Sequence, residues 1–232
     1  MRAFHSIAQH FAVLLVAISA ASTVEAGRPL VTDDAGLVEP GACQIEAWSM
    51  GHSGRTEYGI APACNLAGNL ELALLGVRGL GGGSPETTIS VQGKTALRPL
   101  QPDDWGLGLV FGLSRQVSGG DGRSLYAYLP ASLSLRGDSL LLHANLGLAY
   151  EAKLRQREWT WGVAGEIRLG ERNQVVAEFF GNDQGGAYRQ IGFRHVLLAD
   201  ELQFDIGFGE PLEQGSSGSW WTAGLTWLFP AR

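Results

Sequence analysis

The residues most suggestive of chemistry are a histidine and an asparagine two positions apart, His143 and Asn145. A histidine that works with a serine and an amide or carboxylate partner is the arrangement of serine hydrolases. The stretch His143-Ala144-Asn145 contains no serine, and the alternation of its neighbours turns His143 toward the polar face of a strand. We therefore expect His143 to line an interior and the protein not to be an enzyme, with a lipid-modifying enzyme as the weaker alternative.

A second set of candidate residues consists of charged side chains that alternate with apolar ones in the C-terminal half: Glu166, Arg168, Glu178, Arg194 and Asp205. A two-residue turn at 199–200 would place Arg194 directly opposite Asp205 on a neighbouring strand. Opposite charges in that position contribute about 0.2 to 1 kcal/mol where water screens them. Two interpretations are open: a network that fills and rigidifies an interior, and a polar lining that selects a solute.

Asp33 and Asp34 are the other carboxylates with a suggestive spacing. A cation such as Ca²⁺ needs about six to eight oxygen ligands, and no companion ligands with metal spacing accompany these aspartates. We expect a turn or a cap here, no metal site and no cofactor.

The elements that would position these side chains are long β-strands. Between Leu140 and Tyr150, leucines and an alanine alternate with His143, Asn145 and small residues, which is the period of two of a β-strand. Ordinary strands have about 5 to 6 residues, whereas a tilted strand that crosses a bilayer needs about 9 to 11. The length of this pattern predicts a membrane-spanning strand.

The same alternation recurs along the chain, in segments at 43–50, 58–64, 70–77, 87–97, 105–114, 125–135, 138–151, 159–169, 174–180, 188–197, 202–208 and 220–229. An even number of strands is what a single-chain bacterial outer-membrane barrel requires. We predict an all-β fold, a transmembrane antiparallel up-and-down β-barrel of about twelve strands, which occupies residues 43–232.

The polar face of these strands is the predicted lumen. Its candidate lining residues are Glu46, Lys94, Tyr126, Tyr128, His143, Asn145, Glu166, Arg168, Glu178, Arg194 and Asp205. A barrel of this size has more interior than side chains fill in eight-stranded barrels. Both a narrow channel and a plugged lumen are therefore compatible with the sequence.

The two cysteines, Cys43 and Cys64, lie in the first two segments. A hairpin that is symmetric about Ser53 and Gly54 places them opposite each other. Directly opposed residues have Cβ atoms close to the separation that a disulfide needs, and an oxidising compartment lets thiols pair. We predict a disulfide, with two free buried thiols as the alternative.

Connections and aromatic residues predict an orientation. The connections at 51–56, 79–86, 115–124, 152–158, 181–187 and 209–219 are mostly longer than those at 136–138, 170–172 and 199–200, and outer-membrane barrels have long external loops and short periplasmic turns. Aromatic residues near strand ends, including Tyr150, Trp159, Tyr188 and Trp227, predict girdles at both membrane interfaces. Both features favour a first strand that begins at the periplasmic side.

The N-terminus predicts export. Arg2 precedes an apolar stretch at 11–21, and Val24-Glu25-Ala26 is a small-residue cleavage site, which is typical of a secretory signal peptide. A membrane anchor is disfavoured because the apolar stretch is shorter than the about 20 residues of a helical span. We predict a signal peptide at residues 1–26 and an irregular periplasmic or plug segment at residues 27–42.

Composition limits the partners. The chain has a formal net charge of −6 and only 17% charged residues. It has no run of lysines and arginines that could neutralise phosphates, so we expect no nucleic-acid partner. The partners expected for a barrel are outer-membrane lipid and lipopolysaccharide, the barrel-assembly machinery and a small solute.

Three stretches resemble a known family. Arg28-Pro29-Leu30 and, after one variable residue, Thr32-Asp33-Asp34-Ala35-Gly36 are similar to the opening of mature proteins in the bacterial outer-membrane β-barrel family labelled after the MetA pathway of phenol degradation. Leu146-Gly147-Leu148-Ala149-Tyr150 and Gln190-Ile191-Gly192-Phe193-Arg194 resemble strand cores of that family. The resemblance implies a porin-like channel in a Gram-negative outer membrane for passive uptake of a small aromatic or apolar solute. A non-conducting structural or adhesion barrel is the alternative.

Overall fold

The computed structural model describes residues 28–120, 122–198, 201–213 and 218–229. Its strands are β1 (Cys43–His52), β2 (Arg55–Asn65), β3 (Glu71–Gly81), β4 (Glu86–Arg98), β5 (Trp105–Ser118), β6 (Arg123–Leu135), β7 (Leu140–Glu151), β8 (Gln156–Arg168), β9 (Asn173–Asn182), β10 (Ala187–Leu198), β11 (Leu202–Pro211) and β12 (Trp220–Phe229). Each pairs antiparallel with its neighbours in sequence, and β1 pairs with β12 to close the barrel. The predicted twelve-stranded all-β barrel is confirmed, and the predicted signal peptide lies outside the described residues.

The alternation of side chains separates an apolar outer face from a buried inner face. On β5, Trp105, Phe111 and Leu113 are each about half exposed, whereas Val110 on the inner face is fully buried. Monomeric soluble proteins rarely expose contiguous apolar patches larger than a few hundred Å². Exposed leucines, valines and aromatic residues instead recur on strands all around this barrel, as contact with lipid requires.

The first hairpin has the predicted register. Ser53 and Gly54 form its turn, with Gly54 at a φ of +80°, and Cys43 pairs with Cys64 across the two strands. These cysteines form a disulfide. The predicted bridge is therefore present, and it fastens the start of β1 to the end of β2.

Connections differ from the prediction of long loops at one end and short turns at the other. We call the end where β1 begins the near end and the other the far end. Around the connection that follows β5, Ser114 and Arg115 pair with Ser124 and Arg123, so that β5 extends to Ser118 and β6 begins already at Arg123. The prediction of a long loop was wrong here. The polar residues that were assigned to the loop form main-chain hydrogen bonds between the two strands, because strand pairing does not require apolar side chains.

Residues 28–42, which precede β1, contain neither helix nor strand. We call them the segment. Across the described ranges there is no helix long and apolar enough to cross a membrane.

Candidate functional site

The segment lies inside the barrel. Ala35 donates its N–H to Ser132 Oγ on β6 at 2.8 Å, and Val31 donates its N–H to Glu178 Oε1 on β9 at 2.8 Å. Both partners are inward side chains, with Ser132 and Glu178 almost fully buried. Because distant strands of the closed sheet reach the same short peptide, the segment must cross the lumen.

Glu178 holds the segment by its main chain. Its carboxylate accepts the N–H of Val31 and, at 2.8 Å, the N–H of Thr32. A carboxylate that accepts main-chain N–H groups makes charge-assisted bonds, which are stronger than bonds between neutral groups. The predicted lining residue Glu178 therefore faces peptide rather than open water.

Two side chains of β10 bind the main-chain carbonyl groups of the two residues at the start of the segment. Gln190 donates Nε2–H to the carbonyl of Pro29 at 2.5 Å, and Arg194 donates from Nε and Nη2 to the carbonyl of Arg28 at 3.0 and 2.8 Å. Arg194 also pairs with Glu166 at 3.1 Å. The guanidinium thus links the segment to the charged network of the wall.

A lysine on β4 forms ion pairs with both aspartates of the segment. Lys94 Nζ lies 2.9 Å from Asp33 Oδ1 and 2.9 Å from Asp34 Oδ1, and Tyr128 donates its hydroxyl to Asp33 Oδ2 at 2.9 Å. Asp34 also accepts the N–H of Gly36 at 3.0 Å, which is the turn that the sequence predicts. The described residues contain no group of three or more His, Cys, Asp or Glu side chains that could hold a metal ion.

His143 has a serine partner, contrary to the expectation from its immediate neighbours. β6 and β7 pair Ser132 with His143, and Ser132 Oγ shares a hydrogen bond of 2.8 Å with His143 Nδ1. Glu166 Oε1 lies 3.6 Å from His143 Nε2. A serine, a histidine and a carboxylate thus come together, but the same Ser132 oxygen accepts the N–H of Ala35 and the His143 side chain is fully buried. In this arrangement the group ties the segment to the barrel.

Two other predicted lining residues, Glu46 and Tyr126, face the segment or another inward side chain. Glu46 accepts the N–H of Arg28 at 3.4 Å, and the Arg28 guanidinium stacks over Trp48 at 4.5 Å from the ring centre. Tyr126 donates its hydroxyl to Gln92 Oε1 at 3.1 Å. The inner wall therefore presents aromatic, amide and charged groups.

The remaining predicted lining residues are distributed over β7, β8 and β11. Asn145 faces the main chain of Asp33, whose N–H and carbonyl lie 2.7 and 2.8 Å from the two ends of its amide. Asp205 is 2% exposed and lies opposite Arg194, which is the predicted pairing. Arg168 is half-buried at the near end of β8.

An aromatic cluster occupies the far end of the lumen. Phe180 and Tyr188 stack with ring centres 5.5 Å apart, Trp220 lies 5.9 Å from Tyr188, and Trp220 donates Nε1–H to Gln190 Oε1 at 2.8 Å. The placement of Tyr188 in an outer girdle was wrong, since the side chain faces inward. Its even spacing from Gln190 and Arg194 is the sequence signal that could have shown this.

A cavity of about 290 Å³ lies between the segment and β1–β4. Its wall side is formed by small, amide, aromatic and charged residues: Gln44, Glu46, Trp48, Ala61, Ala63, Glu71, Ala73, Leu75, Gln92, Lys94 and Tyr128. Its other side is formed by segment residues from Arg28 to Val38. The lumen is therefore only partly filled.

Several residues of this interior escaped the sequence prediction. Glu71 accepts the N–H of Val38 at 2.8 Å, and Gln190 and Ser132 bind the segment as described above. All three lie at inward positions of their strands. Strand parity alone could have found them, because polar residues on an inner face need partners.

The fold is shared with solved outer-membrane channels. The KdgM porin in complex with disordered oligogalacturonate superposes with a TM-score of 0.66 at 9% identity, over 79% of this chain and 98% of that chain. The COG4313 outer membrane channel from Pseudomonas putida F1 superposes with a TM-score of 0.65 at 10% identity, over 84% and 98%. NanC porin gives 0.59 at 8% identity, over 80% and 98%. At these identities the similarity concerns the fold.

No curated protein matches the sequence. The family described as "Uncharacterised conserved protein UCP029691" matches residues 13–229, and the chain belongs to this family.

Proposed function

We propose that this member of the UCP029691 family is a bacterial outer-membrane channel for the passive passage of a small solute. The observation that carries the proposal is the cavity of about 290 Å³ beside the segment. Side chains fill the interior of small barrels, whereas here a space wider than single water molecules is left between peptide and wall. The fold that the chain shares with KdgM porin and the COG4313 channel supports the same function.

The size of the cavity limits the solute. Small-molecule pockets measure about 300 to 1,000 Å³, and a cavity of about 290 Å³ lies at the lower limit. The passage therefore suits a molecule with a single ring better than an oligomer.

The lining limits the charge of the solute. Around the cavity, the carboxylates of Asp33, Asp34, Glu46 and Glu71 outnumber the cations Arg28 and Lys94. Galacturonate, the unit of the oligomer bound to KdgM porin, carries a carboxylate that this lining would repel. We therefore propose a neutral or positively charged solute.

The aromatic character of the solute is a finer part of the proposal. It is supported by the resemblance to the family labelled after phenol degradation and by two aromatic surfaces in the lumen. These are Trp48 at the cavity and the cluster of Phe180, Tyr188 and Trp220. Flat rings stack favourably on such side chains. The solute that fits best is a water-soluble single-ring aromatic compound.

The apolar outer face supports a location in the outer membrane and the partners expected there. Lipid and lipopolysaccharide would contact the apolar belt, and the barrel-assembly machinery would receive the chain after removal of the signal peptide. The last strand ends with Trp227, Leu228 and Phe229, an aromatic end that supports such recognition. Fractionation of a Gram-negative host should place the protein in the outer membrane, with heat-modifiable gel mobility. Recovery in the soluble periplasm would contradict this location.

Conductance tests the channel directly. Purified full-length protein in planar bilayers should conduct ions, and Ala73→Trp should reduce the conductance to the baseline because Ala73 lines the cavity. Leu74→Trp is the matched control, since Leu74 is the next residue of β3 and is 50% exposed on the outer face. A native protein without conductance would refute the proposal.

Solute preference is tested with a matched pair of aromatic ions. Reversal potentials across a gradient of benzyltrimethylammonium chloride and of sodium benzenesulfonate report the permeability of a cation and an anion with one ring each. We expect the cation to permeate better. A preference for the sulfonate would exclude the proposed solute class but not the channel.

A non-conducting structural barrel is the second candidate, and one observation favours it. The main chain of the segment is bonded to Glu178, Gln190, Arg194 and Ser132 across the lumen. An absence of both conductance and solute flux in the native protein, together with correct assembly in the outer membrane, would support this candidate.

A further inference from the structure

The segment contacts the two sides of the lumen unequally. Toward β9 and β10, residues 28–32 are hydrogen-bonded through their main chain to Glu178, Gln190 and Arg194. Toward β1–β4, the side chains of Glu46, Glu71 and Lys94 also reach the segment, and the cavity lies beside these contacts. One side of the lumen is therefore closed by bonded peptide, whereas the other retains a cavity.

Inward glycines shape the closed side. A Cβ atom at Gly192 on β10 would lie 2.6 Å from Cγ of Pro29, and one at Gly162 on β8 would lie 2.5 Å from Oγ1 of Thr32. Real Cβ atoms do not approach other atoms this closely, so only glycine lets the segment lie against the backbone of the wall. The wall of β8–β12 is thus fitted to the segment.

The C-terminal part of the segment is also fixed. Gly41 donates its N–H to the carbonyl of Asn65 at 2.7 Å, and Asn65 donates its N–H to the carbonyl of Ala42 at 3.1 Å. Asn65 Nδ2 donates to the carbonyl of Val38 at 2.7 Å. The next residue, Cys43, is bonded covalently to Cys64, so the segment is held at both of its ends.

Displacement of the segment would leave many polar groups without partners. The N–H groups of Val31 and Thr32 would lose Glu178, and Lys94 would lose the two aspartates that neutralise it. Groups removed from their partners in a confined interior lose more free energy than exposed ones. A passage that leaves the segment in place avoids this loss.

On the β1–β4 side, several side chains that line the cavity are small or neutral. Ala61 and Ala63 on β2 and Ala73 on β3 present single methyl groups to the cavity, and Gln44 and Gln92 present neutral amides. These side chains are short or uncharged, and they leave space beside the charged Glu46, Glu71 and Lys94 of the same wall.

We infer that the segment is a fixed wall of the passage rather than a gate, and that the solute moves between it and β1–β4. Asp33 and Asp34 make the segment itself part of the lining that favours cations. This inference rests on the proposed channel function and specifies its route.

A disulfide lock tests whether the segment has to move. Ala35→Cys combined with Ser132→Cys places one thiol on the segment and one on the wall, at two residues that the hydrogen bond from the Ala35 main-chain N–H to Ser132 Oγ holds together at 2.8 Å. Conductance is recorded from the same preparation before and after mild oxidation. The native protein under the same treatment is the control, because its two cysteines already form the Cys43–Cys64 bridge.

The outcomes separate the wall from the gate and from a failed channel. Unchanged conductance after cross-linking supports a fixed wall. Loss of conductance that appears on cross-linking and returns on reduction shows a gate and overturns the inference. Absence of conductance in the native protein refutes the proposed function instead.

Thiol modification at Ala73→Cys tests the route and its charge. We expect a trimethylammonium-ethyl methanethiosulfonate to block the conductance and to react faster than the sulfonatoethyl reagent, since the acidic lining attracts the cation. Leu74→Cys on the outer face is the control and should leave the conductance unchanged. Conductance that survives modification at Ala73→Cys excludes this route, and a faster reaction of the anionic reagent excludes the proposed charge.

Discussion

The two sides of the lumen are built from the same alternating strands but differ in how closely the segment approaches them. On β8–β12 the inner face combines glycines with charged groups such as Glu178 and Arg194, and the segment lies directly on it. On β1–β4 the inner face carries alanines and amides beside Glu46, Glu71 and Lys94, and a cavity is left. The difference shows that close approach needs both the absence of a Cβ atom and a partner for each main-chain group.

The largest effect is expected where this bonding is removed. Glu178→Ala leaves the N–H groups of Val31 and Thr32 without an acceptor, and each unsatisfied buried group costs about 1 to 3 kcal/mol. Urea titration of the folded barrel, followed by tryptophan fluorescence, should show a loss of about 2 to 6 kcal/mol in the free energy of unfolding, which is the sum for the two groups. Glu178→Gln should restore part of it, because the amide oxygen still accepts a hydrogen bond.

The matched change on the open side is Gln44→Ala, in a side chain that faces the cavity. We expect a change within about 0.5 kcal/mol, as for substitutions away from such networks. Equal losses for Glu178→Ala and Gln44→Ala would break the comparison between the two sides.

The next largest effect concerns the covalent bond at the start of β1. Replacement of both cysteines, Cys43→Ser with Cys64→Ser, should lower the free energy of unfolding by about 2 to 4 kcal/mol, because the bridge closes a loop in the unfolded chain. Conductance should not change, since the hydrogen-bonded register of the hairpin persists. A changed conductance would show that the open side depends on the bridge for its shape.

A smaller effect is expected from one added methyl group. Gly192→Ala would force a Cβ atom to within 2.6 Å of Pro29, and overpacking of this kind costs about 1 to 3 kcal/mol. Gly76→Ala is the control on the outer face, where the nearest atom, of Ile60, is 3.8 Å away. There the change should be neutral or stabilise slightly, since alanine restricts the unfolded chain. Equal effects would show that the segment does not lie on Gly192.

Strand periodicity explains why so much of the wall could be predicted. The two-residue alternation located the strands, and the symmetry of Ser53-Gly54 fixed the register that joins Cys43 to Cys64. The assumption of a two-residue turn at 199–200 likewise predicted that Arg194 lies opposite Asp205. Each of these inferences uses a local rule, because neighbouring strands in this barrel are also neighbours in sequence.

The course of the segment could not be predicted in the same way. Residues 28–42 have no period, and their contacts with Glu178 and Ser132 join positions far apart in sequence. The Ser132 and His143 pair also required the register of β6 and β7, which depends on the turn at 136–139. Local sequence patterns do not predict contacts between residues that are so far apart in sequence.

The smallest effect is expected for an ion pair outside the lumen, at the end of the strand that carries Lys94. Arg98 Nη2 lies 2.6 Å from Asp104 Oδ2, and both side chains are exposed. The N–H of Trp105, and then the hydrogen bond from Arg98, lower the pKa of Asp104 from its usual value. A lowered pKa in the folded state stabilises the barrel above the pKa of the unfolded chain, and this contribution is lost as the pH falls through the folded value.

Asp104→Asn should therefore slightly reduce stability at neutral pH and flatten its decline in acid, as followed by urea titration between neutral and acidic pH. Water screens this pair, whereas the partners of Glu178 are enclosed. A loss as large as that of Glu178→Ala would mean that an exposed carboxylate contributes as much to stability as an enclosed one. Enclosure in the lumen would then not explain the larger effect expected for Glu178.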